Sequence, residues 1–265
     1  MNRIDAVFRK LKQRGEKALI PFITAGDPDL KTTQALALTM AAKGADLLEL
    51  GIPFSDPLAD GPTIQAASAR ALKGGVHLTE VLELAGELRL KTNIPLILMG
   101  YYNPILQYGL ERTAKDAARA GVDGFIIPDL PLEEAGPWRV AAAQAGVAAI
   151  FLAAPTSGPE RIKKAGRLTR GFLYYVSVTG ITGARAELPP DLAAALKEVR
   201  SLVKCPLAVG FGISTPEQVK WLAPYVDGVV VGSAIVQRVA KLRGKDLLTE
   251  VGDFIAALKE PLRGK

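Results

Sequence analysis

Asp46-Leu47-Leu48-Glu49-Leu50-Gly51-Ile52-Pro53-Phe54-Ser55-Asp56-Pro57-Leu58-Ala59-Asp60-Gly61-Pro62 places a carboxylate inside an apolar strand and then a stiff, acidic, proline-rich loop. By strand alternation Glu49 shares a face with Leu47 and Gly51 and opposes Leu48 and Leu50. A carboxylate near the end of a buried strand is costly to desolvate unless it is paired, and burial raises its pKa toward the range useful for proton transfer. A structural ion pair is the competing reading. Asp60 has two readings as well: a working acid, or a plain helix N-cap before Gly61-Pro62-Thr63.

The same kind of apolar run recurs along the chain. The runs are Leu19–Thr24, Leu47–Gly51, Pro95–Met99, Gly124–Pro128, Ala148–Ala153, Phe172–Ser177, Leu207–Gly210 and Gly228–Gly232, each followed by a helical pattern. They are nearly continuous rather than alternating, as parallel strands covered on both faces should be. Asp29 or Thr32 opens a helix over Lys31–Lys43, and Thr63–Lys73 and His77–Lys91 carry two more. Ser214 or Thr215, followed by Pro216, caps another over Gln218–Ala223. Gly44, Gly121 and Gly146 close helices ahead of strands, where a positive φ is needed. Eight such units predict an α/β fold: a single (β/α)8 TIM barrel, one domain over 1–265, with an extra N-terminal helix and a short phosphate-binding helix after strand eight. An open doubly wound sheet would want a dinucleotide fingerprint after the first strand, and Thr24-Ala25-Gly26-Asp27-Pro28 is not one.

Composition narrows the chemistry. Of 265 residues 49% are hydrophobic, enough for a large core, and the formal charge is +6. Lys and Arg are interleaved with Asp and Glu on helices, which argues against a nucleic-acid partner. No run of about 18 apolar residues and no export-type leader is visible, so a cytoplasmic protein without a membrane partner is expected. The lone Cys205 fits a reducing compartment. With one His, His77, there is little material for a metal site or a His-activated nucleophile, and no metal is expected. A Schiff-base mechanism needs a lysine inside the barrel; Phe172–Ser177 has none, and Lys204 lies ahead of strand seven, at the wrong end. Glycine-rich segments follow strands six, seven and eight: Thr179–Ala184, Gly210–Ser214 and Gly232–Ile235. In barrels of this kind the last two loops often cradle a phosphate on backbone amides and a helix N-terminus. Proton transfer by carboxylates on a phosphorylated small molecule is what remains.

At this point the segment Leu48–Thr63 resembles the hallmark of the tryptophan synthase alpha chain family. Pro21–Pro28, Pro128–Pro131, Thr182–Ala184, Gly210–Ser214 and Gly232–Val236 match the family pattern in the same order, so the resemblance covers essentially the whole chain. It implies retro-aldol cleavage of indole-3-glycerol phosphate to indole and glyceraldehyde 3-phosphate, with Glu49 as general acid and base and Asp60 at the indole N–H. It further implies Phe22, Tyr101 and Tyr174 in the indole pocket, Asp129 near its indole end, Thr182 on a loop that closes toward Asp60, Phe211 as a further substrate-binding residue, and Gly183, Gly212, Gly232, Ser233 and Ala234 around the phosphate. Leu98, Ile126 and Leu152 are further candidates for an apolar slot, or simply barrel core. The family works in an alpha-beta-beta-alpha assembly with a pyridoxal-phosphate beta subunit; Pro53, Asp56, Asn103 and Pro131 match its contact surface, and no cofactor is expected in this chain. A free-standing lyase of the same fold, or a weakly catalytic activator of a beta chain, are the alternatives. Two places depart from the family: Val178 stands where a basic residue is frequent, and Tyr101-Tyr102-Asn103-Pro104 is bulky.

Overall fold

The computed structural model describes residues 2–176, 188, 190–210 and 212–264. In chain order these form α1 (Arg3–Gln13), β1 (Ala18–Thr24), α2 (Leu30–Ala42), β2 (Leu48–Gly51), α3 (Pro62–Lys73), α4 (Leu78–Arg89), β3 (Leu96–Met99), α5 (Tyr102–Tyr108), α6 (Leu110–Arg119) and β4 (Gly124–Ile126). They continue with α7 (Gly136–Ala145), β5 (Ala148–Ala153), α8 (Pro159–Leu168), β6 (Leu173–Val176), α9 (Leu192–Leu202), β7 (Leu207–Gly210), α10 (Pro216–Leu222), β8 (Gly228–Val231), α11 (Ser233–Lys241) and α12 (Gly244–Lys259). The strands are parallel and pair in sequence order into a closed barrel, sealed by Ala18 of β1 against Gly228 of β8. The expected TIM barrel, with its N-terminal helix and a short helix straight after β8, is therefore the fold. No helix among the described residues is long and apolar enough to cross a membrane.

Side chains divide by parity along each strand. Leu48, Leu50, Leu98, Phe125, Phe151 and Tyr175 belong to the layer between barrel and helices. Ile20, Phe22, Leu47, Ile97, Met99, Ile126, Tyr174 and Val230 fill the interior. Leu98 is therefore no part of an apolar slot inside the barrel: Ile97 and Met99 take the inward positions, and Leu98 between them must face out. Ile126 lies in the interior core, and Leu152 is half-buried against it. The helix α1, whose apolar face predicts its burial, presses Ile4, Phe8 and Leu11 onto the interior core. Phe8 meets Phe172 at 5.6 Å between ring centroids, and Phe172 meets Tyr174 at 6.3 Å.

The starts of the strands are laced in pairs. Asp46, ahead of β2, accepts the Leu19 N–H of β1 at 2.7 Å; Asp123, ahead of β4, accepts the Leu96 N–H of β3 at 2.9 Å; Asp227, ahead of β8, accepts the Leu207 N–H of β7 at 2.9 Å. Each carboxylate also holds a helix cation: Lys259 at 2.8 Å, Arg89 at 3.0 Å and Arg200 at 2.6 Å. For β5 and β6 a hydroxyl takes this place, with Thr169 Oγ1 accepting the Phe151 N–H at 3.1 Å. Gly44, Gly121 and Gly146 have φ of 113°, 77° and 76°, as their turns require.

Candidate active site

β2 carries Glu49 to the C-terminal mouth of the barrel, in direct register with Phe22 of β1. Its side chain is 1% exposed, and among the described residues Glu49 Oε2 has no hydrogen-bond partner. No cation meets the carboxyl among those residues, which counts against the structural ion-pair reading. Asp60 is brought beside it by the loop after β2 and is 8% exposed. The N-cap of α3 is Gly61, with Pro62 opening the helix and no side-chain cap, so Asp60 does not serve as that helix's cap. Its carboxylate instead accepts the Tyr101 hydroxyl at 3.0 Å, and that hydroxyl accepts the Ala59 N–H at 3.0 Å.

Burial decides the electrostatics of the pair. Loss of water pushes Glu49 up to about 8, and the charge of Asp60 pushes in the same direction. Burial pushes Asp60 up to about 6, opposed by the hydrogen bond from Tyr101. Asp60 ionises first, while Glu49 is still neutral, so their repulsion falls on Glu49. Burial raises the Tyr174 phenol well above its ordinary value, and the charges of Glu49 and Asp60 add to the effect. At neutral pH the site holds one protonated and one ionised carboxyl, the division that acid–base chemistry requires.

The pocket around them is lined on its apolar side by Phe22, Ile64, Met99, Tyr174, Ile213 and Val230, and on its polar side by Gly212, Gly232 and Ser233. Two glycines make room for the aromatic walls. A Cβ on Gly51 would lie 2.6 Å from the ring of Phe22, and one on Gly210 would collide with the Tyr174 phenol. Gly212 has φ of 85°. Gly232 precedes the first turn of α11, whose earliest amides have no intrahelical acceptor and gather partial positive charge. Buried Ala234 sits in that turn, behind the pocket surface.

Several sequence candidates lie elsewhere. Tyr101 is buried and reaches the pocket through its bond to Asp60, and is not itself among the residues that line it. Asp129 is exposed and accepts the Tyr102 N–H at 2.8 Å, capping α5 from the next loop. Asp56, Asn103 and Pro131 are exposed on the loops after β2, β3 and β4, whereas Pro53 is buried. Thr182, Gly183, Phe211 and Val178 lie outside the described residues. Sequence reasoning missed Met99 and Val230, which strand parity identifies once Glu49 is placed inside. It also missed Ile64 and Ile213, which sit off the strands and carry no comparable signal. Among the described residues no group of three or more His, Cys, Asp or Glu is arranged to hold a metal ion.

Comparison with known proteins places this arrangement. A family model described as the tryptophan synthase alpha chain matches residues 8–260. The tryptophan synthase alpha chain of Citrifermentans bemidjiense is 55% identical over 260 residues, covering 98% of this chain and 97% of that one. A crystal structure of tryptophan synthase subunit alpha from Legionella pneumophila superposes with a TM-score of 0.91 at 41% identity, covering 99% of this chain and 98% of that one. A chain from the tryptophan synthase complex of Pyrococcus furiosus gives a TM-score of 0.85 at 38% identity, covering 92% of this chain and 98% of that one. With a family match across nearly its whole length, a relative at this identity and a barrel that superposes on solved members, the chain belongs to the tryptophan synthase alpha chain family.

Proposed function

We propose that this chain is a carbon–carbon lyase that cleaves indole-3-glycerol phosphate to indole and glyceraldehyde 3-phosphate, as the alpha subunit of a cytoplasmic tryptophan synthase in tryptophan biosynthesis. One observation carries the mechanism: two buried carboxyls share one pocket with their proton affinities driven apart, Glu49 to about 8 and Asp60 to about 6. Glu49, protonated at neutral pH, donates to indole C3. The ring then carries positive charge at its nitrogen, which ionised Asp60 stabilises by accepting the N–H. Glu49, now a base, takes the proton of the hydroxyl next to the bond. That bond breaks toward the ring, giving the aldehyde and neutral indole, and Glu49 has regained its proton. Acid–base steps of this type contribute about 10²–10⁴-fold each.

Phe22, Ile64, Met99 and Tyr174 supply an apolar slot for the indole. Gly212, Gly232 and Ser233, with the N-terminus of α11, suit the phosphate. Asp56, Asn103 and Pro131, exposed around the mouth, suit a beta subunit that receives the indole and carries pyridoxal phosphate of its own. A single barrel domain accounts for all of these parts. The decisive experiment is a steady-state assay with indole-3-glycerol phosphate, with and without a beta chain. Cleavage that rises with the beta chain is the expected result. High turnover alone, unchanged by the beta chain, would point to a free-standing lyase, and no cleavage under either condition overturns the enzyme reading.

A further inference from the structure

Tyr101 holds the loop of Asp60 from behind. Its hydroxyl has one proton, and with the Ala59 N–H directed at the oxygen that proton is committed to Asp60 Oδ2. Among the described residues that bond engages Oδ2 of Asp60 and leaves Oδ1 outside it. The support for this hydroxyl is rigid. Tyr101 follows β3 through Gly100, whose N–H donates to the Ile126 carbonyl at 3.1 Å. It precedes α5, whose first amide is capped by Asp129 at 2.8 Å. Its ring stacks on Phe54 with centroids 5.3 Å apart. The loop bearing Asp60 is by contrast mostly at the surface, with Ser55, Asp56, Leu58 and Ala59 all exposed.

We infer that Tyr101 is a positioning residue: its hydroxyl pins Asp60 and Ala59 to the end of β3, so that Asp60 presents Oδ1 to the substrate nitrogen. The inference rests on the cleavage reading above and assigns Tyr101 to the support of the acid rather than to the wall of the substrate slot. A hydrogen bond donated to a carboxylate favours its charged form, so the same contact opposes the rise that burial imposes on Asp60.

The test is Tyr101→Phe, which removes one oxygen and keeps the ring stacked on Phe54, assayed as the full chain with a beta partner. The expected result is a loss in kcat of about tenfold or more with KM changed by less than about threefold, together with a shift of the acidic limb of kcat/KM to higher pH. In an Asp60→Asn background the same substitution should have little further effect, because Tyr101 acts through that carboxylate. Wild-type kcat with an unmoved acidic limb overturns the inference. So does a lowered kcat with an unmoved limb, or full additivity with Asp60→Asn, since either leaves a merely structural role. Wild type assayed alongside separates the two levels: if it does not cleave the substrate, the reading under Proposed function falls, whereas a failed Tyr101→Phe test with active wild type leaves that reading intact.

Discussion

The negative charge of Asp60 reaches Glu49 inside the barrel and adds to the burial that holds a proton on Glu49 up to about pH 8. Asp60 itself gives up its proton at about 6. If Glu49 must be protonated and Asp60 ionised, kcat/KM is a bell with limbs near these two values. It falls below about pH 6 as Asp60 takes a proton, and above about pH 8 as Glu49 loses one. A pH–rate profile with the acidic limb removed by Asp60→Asn, and the alkaline limb absent in residual Glu49→Gln activity, would assign each side.

The same burial sets activity against stability. Glu49 has its pKa raised from 4.5 to about 8 on folding, so the native chain binds the proton more tightly than the unfolded one. The cost is absent below about pH 4.5, grows as pH rises through the interval, and is complete above about 8. At pH 7 it amounts to on the order of 3 kcal/mol. Glu49→Gln should therefore lower turnover by about 10²–10⁴-fold while unfolding at higher denaturant than wild type, by a margin that widens from pH 5 to pH 8. A margin independent of pH would contradict the burial of an ionisable Glu49.

At the opposite end of the barrel, Asp123 is the test of the paired lacing. It is 3% exposed and holds Arg3, Arg89 and the Leu96 N–H together. Asp123→Ala takes the counter-charge from the Arg89 guanidinium, which keeps its bonds to the Gly121 and Thr92 carbonyls, and leaves the Leu96 N–H unpaired; it should cost about 2–3 kcal/mol in chemical denaturation. Turnover per folded molecule should be unchanged, because the residue lies at the strand starts while the pocket lies at the strand ends.

Much of this was readable from residues alone, for physical reasons that differ by element. The strands announced themselves because a parallel barrel buries both faces, leaving continuous apolar runs such as Ala148–Ala153, whose bounds agree with the structure. Glu49 could be turned inward by parity, and the glycine turns by the φ they demand. Leu98 was misassigned because apolarity does not tell the inner from the outer face; parity counted from Glu49 would have turned it out. Asp60 stayed ambiguous because cap and catalytic acid have the same local sequence, and only the placement of Gly61 and Pro62 at the helix start separates them. Tyr101 and Asp129 were harder still. Their hydrogen bonds join loops 41 and 27 residues apart, a distance at which no periodicity speaks.

The plug formed by α1 has a consequence for traffic. Ile4, Phe8 and Leu11 close the floor of the barrel, and the rings of Phe8, Phe172 and Tyr174 continue upward from it to the pocket. Among the described residues that column fills the barrel beneath the pocket, and Asp56, Asn103 and Pro131 are exposed on the loops at the opposite end. On the proposed function, a subunit seated on that rim would cover the mouth and stand where the released indole leaves the pocket.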